Sequence, residues 1–212
     1  MIRALILDLD NCIAAADEPG RAFFEPVFQA IREANAAGLP ETALASAFED
    51  MWRHPLDWVA ERHGFSPAML RAGWEASTEL EVPGPMRGYG DLSALLDIRQ
   101  YKFVVTSGFR RLQESKFLAL GLHGAFEALI VDAINEPGRL GKQAWFETIL
   151  AQHHFAPGEV LVVGDNPDSE IAAGIRLGIP TVQTLRPGVQ PSPAASFRIH
   201  SFGELNTVLA SC

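Results

Sequence analysis

The sequence predicts an α/β fold, a doubly wound parallel sheet with a helical unit inserted after the first strand. Three observations carry this reading. Short apolar runs end abruptly in polar residues, helical patterns recur between them, and one long stretch near the N-terminus lacks any strand signal. The 212 residues suit one large domain or a core with a smaller partner. Hydrophobic residues make up 48% and charged residues 20%, so a packed core is expected rather than disorder.

The first apolar run, Ile2-Arg3-Ala4-Leu5-Ile6-Leu7, stops at Asp8. It reads as a strand buried on both faces, as parallel sheets require. Phe103-Val104-Val105 before Thr106, and Val160-Leu161-Val162-Val163 before Gly164-Asp165, read the same way. Weaker strands are expected over 128–131, 181–183 and 196–199. Between them lie helical patterns. Residues 112–120 carry Phe117, Leu118 and Leu120 and stop at Gly121, and residues 143–153 carry Phe146, Ile149 and Leu150. Residues 168–177 open after Pro167 and close at Gly178, the ordinary start and stop signals of a helix.

Residues 17–83 break the alternation. Phe24, Phe28 and Ile31 recur at helical spacing, as do Leu44, Phe48 and Met51 or Trp52, then Leu56, Val59 and Ala60. Pro40, Pro55 and Pro67 fall where helices would start, and Pro83-Gly84-Pro85 looks like a hinge back to the core. The domains expected are therefore a core of 1–16 and 84–212 and a helical insertion of 17–83.

Lys and Arg number 17 against 26 Asp and Glu, a net charge of −9. Such a chain repels nucleic-acid phosphates and anionic membranes, so it is expected to bind neither. A small anionic substrate would need a local cation or metal. The two cysteines, Cys12 and Cys212, read as free thiols of a reducing compartment. Asp8 and Asp10 interrupt the first apolar run before a secretory core can form, so a cytoplasmic location is expected.

In open α/β sheets ligands bind outside the carboxyl ends of the strands. Three apolar runs deliver polar residues there: Asp8 and Asp10, Thr106 and Ser107, and Asp165. Asp8 and Asp10 are two apart and point to one side. Adjacent carboxylates repel, and a hard divalent cation resolves that repulsion; Mg²⁺ prefers oxygen ligands, waters and phosphate. Other readings exist for each residue. Asp10 could occupy a turn and Lys142 could be a solvated surface cation. In Gly164-Asp165-Asn166-Pro167-Asp168-Ser169-Glu170, Asn166 could cap a helix whose first-turn acids face the dipole. Capping does not explain Asp165 directly after four apolar residues.

In order along the chain, these groups resemble the motifs of the haloacid dehalogenase-like hydrolases. Ile6-Leu7-Asp8-Leu9-Asp10-Asn11 is similar to the first motif, Val104-Val105-Thr106-Ser107-Gly108 to the second, Lys142 to the third, and Val162-Val163-Gly164-Asp165 with Glu170 to the fourth. The insertion lies where that family carries its C1 cap. Two positions depart from the pattern: Cys12 stands where Thr or Val is common, and Gln143 where Pro is common.

The resemblance implies a Mg²⁺-dependent phosphatase acting on a small phosphorylated metabolite, as a monomer or homodimer. Asp8 is implied as nucleophile and Asp10 as acid and base, with Thr106 and Lys142 also in catalytic slots. Phosphate would be bound by Asn11, Thr106, Ser107, Gly108 and Lys142. Metal would be held by Asp8, Asp10, Asp165 and Glu170, with Asp168 an alternative to Glu170. Asp10 argues against the dehalogenase branch, which has no acid in that slot. A phosphomutase would share every motif, and a non-catalytic binding module would lack one of the acids. The insertion is expected to be a mobile lid packed on Phe24, Phe28, Phe48, Trp52 and Trp58, turning Arg53, His54 and Arg62 toward the substrate.

Overall fold

The computed structural model describes residues 1–36 and 38–212; Ala37, within the expected insertion, lies outside them. Six strands form one parallel sheet in the order β3-β2-β1-β4-β5-β6. They are β1 (Ala4–Leu7), β2 (Tyr101–Gly108), β3 (Ala128–Ala133), β4 (Val160–Gly164), β5 (Thr181–Thr184) and β6 (Phe197–Ile199). Every strand read from the sequence is present. The chain runs from β1 outward to β2 and β3, then returns to lay β4 on the other side of β1. That reversal opens a crevice at the carboxyl ends of β1 and β4, where doubly wound folds place ligands.

The alternation of strand side chains builds two apolar layers. Leu5, Leu7, Val104, Leu161 and Val163 face one cluster, completed by Phe117, Phe202 and Leu205. Ala4, Ile6, Phe103, Val105 and Val162 face the other, with Phe146 and Ile149. Each fully buried aliphatic or aromatic side chain here contributes roughly 1.5–3 kcal/mol of burial.

Helices α1 (Arg21–Glu33), α2 (Glu41–Asp50), α3 (Leu56–His63) and α4 (Pro67–Thr78) follow β1. Pro40 and Pro55 sit at the N-caps of α2 and α3, and Pro67 opens α4 behind Ser66, which accepts a hydrogen bond from Met69 N. Proline is tolerated there because the first-turn N–H groups have no helical partner anyway. Val27, Phe28, Ile31, Leu44, Phe48, Leu56 and Met69 form a third cluster, which Phe109 and Leu112 join from beyond β2. Trp58 is an exception to the expected packing, being 41% exposed.

The sheet is flanked by α5 (Leu92–Leu96), α6 (Arg110–Ala119), α7 (Lys142–His153), α8 (Ala172–Arg176) and α9 (Leu205–Ser211). The helix expected over 168–177 is shorter. Its first turn, Pro167–Ile171, is π-helical and only α8 continues as α-helix. Among the described residues no helix is long and apolar enough to cross a membrane.

Candidate active site

The register of the sheet brings the strand-terminal residues together. Leu7 pairs with Val104 on one side and Val163 on the other, so the chain reaches Asp8, Thr106 and Asp165 along one edge. Asp8 donates its backbone N–H to Val163 O at 2.9 Å, holding the end of β1 against β4. From here the site builds outward around Lys142, the first residue of α7.

Lys142 Nζ lies 2.8 Å from Asp8 and 2.9 Å from Glu170, and all three side chains are buried. Asp165 completes the group: Asp8, Asp165 and Glu170 each offer a carboxylate oxygen, all within 4.8 Å of one another. Burial pushes the Asp8 carboxyl up to about 7, with the Glu170 charge adding to the rise and Lys142 opposing it. Burial and the charges of Glu170 and Asp8 raise Asp165 to about 8. Burial alone would depress Lys142, but the facing charges of Asp8 and Glu170 raise it instead. One buried ammonium thus faces three crowded carboxylates. Hard oxygen donors crowded at this spacing fit a divalent cation such as Mg²⁺.

Glu170, rather than Asp168, is the second acid of this turn. Asp168 is exposed, and its N–H donates to Asn166 Oδ1 at 2.9 Å, so the capping reading of Asn166 also holds. The π turn delivers Glu170 inward, where it accepts from Asn166 N at 2.6 Å. Gly164 makes room for it, since a Cβ there would collide with the Glu170 carboxylate.

Asp10 does not join the carboxylate group that could hold metal. Its Oδ1 accepts from Lys116 Nζ at 2.7 Å and its Oδ2 from Gln113 Nε2 at 3.0 Å. Gln113 also receives the Thr106 hydroxyl at 3.3 Å, linking the ends of β1 and β2 through α6. Gly108 permits this, because a Cβ there would strike the Gln113 side chain. Asn11 adopts φ 55°, a left-handed conformation that asparagine tolerates, and its Oδ1 accepts from Ala16 N. Cys12 is buried, donates weakly to Val163 O at 3.7 Å, and has its thiol pushed up by burial. Arg186 grips the Cys12 carbonyl with two hydrogen bonds, at 3.1 and 3.0 Å, and pairs with Asp91 at 2.8 Å.

Four residues of this network were not singled out from the sequence: Gln113, Lys116, Asp132 and Arg186. Gln113 and Lys116 are three apart on α6 and so share a face. Asp132 ends an apolar strand as Asp8 and Asp165 do, a signal present in the sequence. It is 1% exposed and accepts from Ser107, Arg139, Leu140 N, Gly141 N and Trp145. Those bonds tie down the loop that leads into Lys142.

A cavity of about 320 Å³ opens above these groups. Asp8, Asp10, Asn11, Thr106, Ser107, Gly108, Lys142, Asp165 and Glu170 all line it, so the expected site residues share one chamber. Arg53 and His54 reach it from the helical insertion, but Arg62 does not: it is exposed on α3 outside the lining.

The sequence model of the haloacid dehalogenase-like hydrolases matches residues 2–178. The chain belongs to this family. No curated protein matches the sequence of this haloacid dehalogenase-like hydrolase. Solved structures share its fold over nearly their full length. The HAD-hydrolase YfnB of Bacillus subtilis, bound to magnesium, is 17% identical with a TM-score of 0.67, covering 98% of each chain. A HAD phosphatase of Thermococcus onnurineus is 20% identical with a TM-score of 0.65, again covering 98% of each. The L-2-haloacid dehalogenase of Xanthobacter autotrophicus is 14% identical with a TM-score of 0.61, covering 99% of each. At these identities the likeness speaks for the fold alone.

Proposed function

We propose that this hydrolase is a Mg²⁺-dependent phosphatase that cleaves a small phosphomonoester through a phosphorylated Asp8. The observation that carries the reading is the group formed by the buried Asp8 and Glu170 and the half-buried Asp165 around Lys142, with a further carboxylate, Asp10, lining the same cavity. A nucleophilic carboxylate is useful where an anionic phosphoryl group is offset by positive charge. Asp8, Asp165 and Glu170 would hold the Mg²⁺, which when bound supplies charge opposite the phosphoryl oxygens.

In the first step Asp8 attacks phosphorus while Asp10 gives a proton to the departing alkoxide. In the second, Asp10 takes a proton from water, which attacks the phosphorylated Asp8 and releases phosphate. Lys142 offsets the charge on Asp8 and on the transferring group. Thr106, Ser107 and the N–H groups around Gly108 and Asn11 orient the phosphoryl oxygens. The helical insertion of 17–83 covers the leaving group and limits water.

The test is phosphate release from a panel of phosphomonoesters with Mg²⁺ and with chelator, with chloride release from 2-chloropropionate run alongside. Metal-dependent phosphate release, lost in Asp8→Asn, is expected. Chloride release without phosphate release would replace this reading with dehalogenation.

A further inference from the structure

The cavity is divided by chemistry, and that division points to a substrate class. At its floor lie the charged and hydrogen-bonding groups of the core. Its roof is supplied by the insertion, where Phe24, Phe28, Trp52, Leu56 and Leu80 form the wall. Aromatic contacts hold the wall together: Trp52 meets Phe24 edge-on at 4.7 Å, and Phe28 stacks on Phe48 at 4.4 Å. Phe109, Leu112 and Ile134 of the core continue the apolar surface.

Polyhydroxylated alcohols are held chiefly by carboxylates, which accept, and by amides, which both accept and donate. Among the described residues the insertion presents none of these to the cavity. Its one hydroxyl there, Ser77, is already donated to Gly73 O at 2.6 Å. Arg53, a donor only, reaches Pro187 O at 3.4 Å, and His54 lies against Trp58 with ring centroids 3.9 Å apart. A sugar hydroxyl pressed on this roof would lose its water bonds without replacement, which is costly. An apolar group would gain by burial. The volume of about 320 Å³ also sits at the small end for a ligand pocket.

Resting on the phosphatase reading, we propose that the leaving group is a compact apolar alcohol, aromatic or branched aliphatic, selected by the Phe24–Trp52–Leu80 wall rather than by hydroxyl recognition. In steady-state assays with Mg²⁺, benzyl phosphate should exceed glucose 6-phosphate in kcat/KM by at least tenfold. Trp52→Ala should shrink that ratio toward one while the variant keeps its far-ultraviolet circular dichroism. Calorimetric titration of Asp8→Asn with benzylphosphonate and with glucose 6-phosphate reads the same preference without turnover. If glucose 6-phosphate is turned over or bound as well as the benzyl compound, or if the ratio survives Trp52→Ala, the proposal is overturned and the phosphatase reading stands. If neither ester is hydrolysed but benzylphosphonate still binds preferentially, the phosphatase reading falls and the apolar selection holds.

Discussion

Replacing Asp8 by Asn and replacing Lys142 by Met should move the stability of the metal-free protein in opposite directions. With its acids ionised, the cluster around Lys142 holds one ammonium and three carboxylates, a formal charge of −2. A carboxyl whose folded value is raised stabilises the fold only while protonated, so its penalty is complete above that value. Asp8 is raised from 3.8 to about 7, which corresponds to about 4 kcal/mol against the ionised form. That figure is already net of the pairing with Lys142 at 2.8 Å, so Asp8→Asn removes the whole penalty, and the cost of seating an uncharged amide beside the buried ammonium leaves a net gain on the order of 2 kcal/mol. Lys142→Met instead strands the carboxylates, and breaking a buried pair from one side costs about 3–5 kcal/mol. For a chain of this size 1 kcal/mol shifts Tm by roughly 2–4 °C. Thermal unfolding in chelator should therefore show Asp8→Asn higher by about 4–8 °C and Lys142→Met lower by about 6–20 °C. Adding Mg²⁺ should raise the wild type most, since ligand binding to the folded state alone is stabilising. A fall in Tm for Asp8→Asn as large as that for Lys142→Met would refute the charge-crowding account.

Further outcomes follow from the neighbouring residues. Burial pushes the Asp132 carboxyl up, but hydrogen bonds from Arg139, Gly141 N and Trp145 outweigh it and hold it below its usual value. Its stabilisation is therefore complete above the ordinary carboxyl value and is lost as pH falls through the lowered one. The Tm gap between wild type and Asp132→Asn should be full at pH 7, narrow below about pH 4, and come with lower kcat through a loosened Lys142; a gap independent of pH would contradict this. Cys12→Thr offers Val163 O a better donor in similar volume and should keep kcat/KM within about tenfold, about 1.4 kcal/mol; an inactive variant with unchanged Tm would give Cys12 a larger role. Asp165→Ala should abolish activity together with its Mg²⁺ dependence, whereas Glu170→Gln, which still accepts from Asn166 N, should mainly raise the Mg²⁺ required. Metal titration of both variants checks that ranking, and an equal or larger loss at Glu170 reverses it. Lys116→Met frees Asp10 from its buried partner at 2.7 Å and should lower kcat more than it raises KM, a split that steady-state kinetics reads directly.

The sheet was legible because its strands are buried on both faces and therefore read as unbroken apolar runs, from Leu5-Ile6-Leu7 to Val160-Leu161-Val162-Val163. The short helices α5, with five residues, and α9, with seven, span too few turns to show a period, and neither was read from the sequence. The site was legible where an acid follows an apolar strand, since solvation gives no reason for a carboxylate there. It was not legible on α6. Gln113 and Lys116 look like the solvent face of an amphipathic helix, and only the turn after Gly108 aims that face at Asp10. The π turn at Pro167–Ile171 was hidden for a similar reason. Its residues carry ordinary helix-start signals, and the shift in phase that brings Glu170 inward arises from packing against Gly164 and Lys142.

The seam between the helical insertion and the core bears on whether the insertion can act as a lid. Phe109 and Leu112 are the buried core residues in the insertion's apolar cluster, with the partly buried Ile134 packed against it and Trp74 edge-on to Phe109 at 5.3 Å. Burying two such side chains is worth roughly 3–6 kcal/mol. Some polar links across the seam are exposed, Arg111 with Glu79 and Glu81 and Arg53 with Pro187 O, and others are part-buried at the hinge, where Val82 N donates to Ser115 Oγ at 2.9 Å and Gly88 N to Glu18 at 3.1 Å. Exposed pairs of this kind contribute at most about 1 kcal/mol each. Parting the seam therefore costs a few kcal/mol, within the range where a minor open state is populated and a ligand can shift the balance. A substrate that fills the apolar roof while its phosphoryl group meets Lys142 below touches both sides of the seam and favours the closed form. On the proposed reading, an ester too polar for the roof gives up that contribution, so the wall proposed to select the leaving group would also set how well the site is sealed from water.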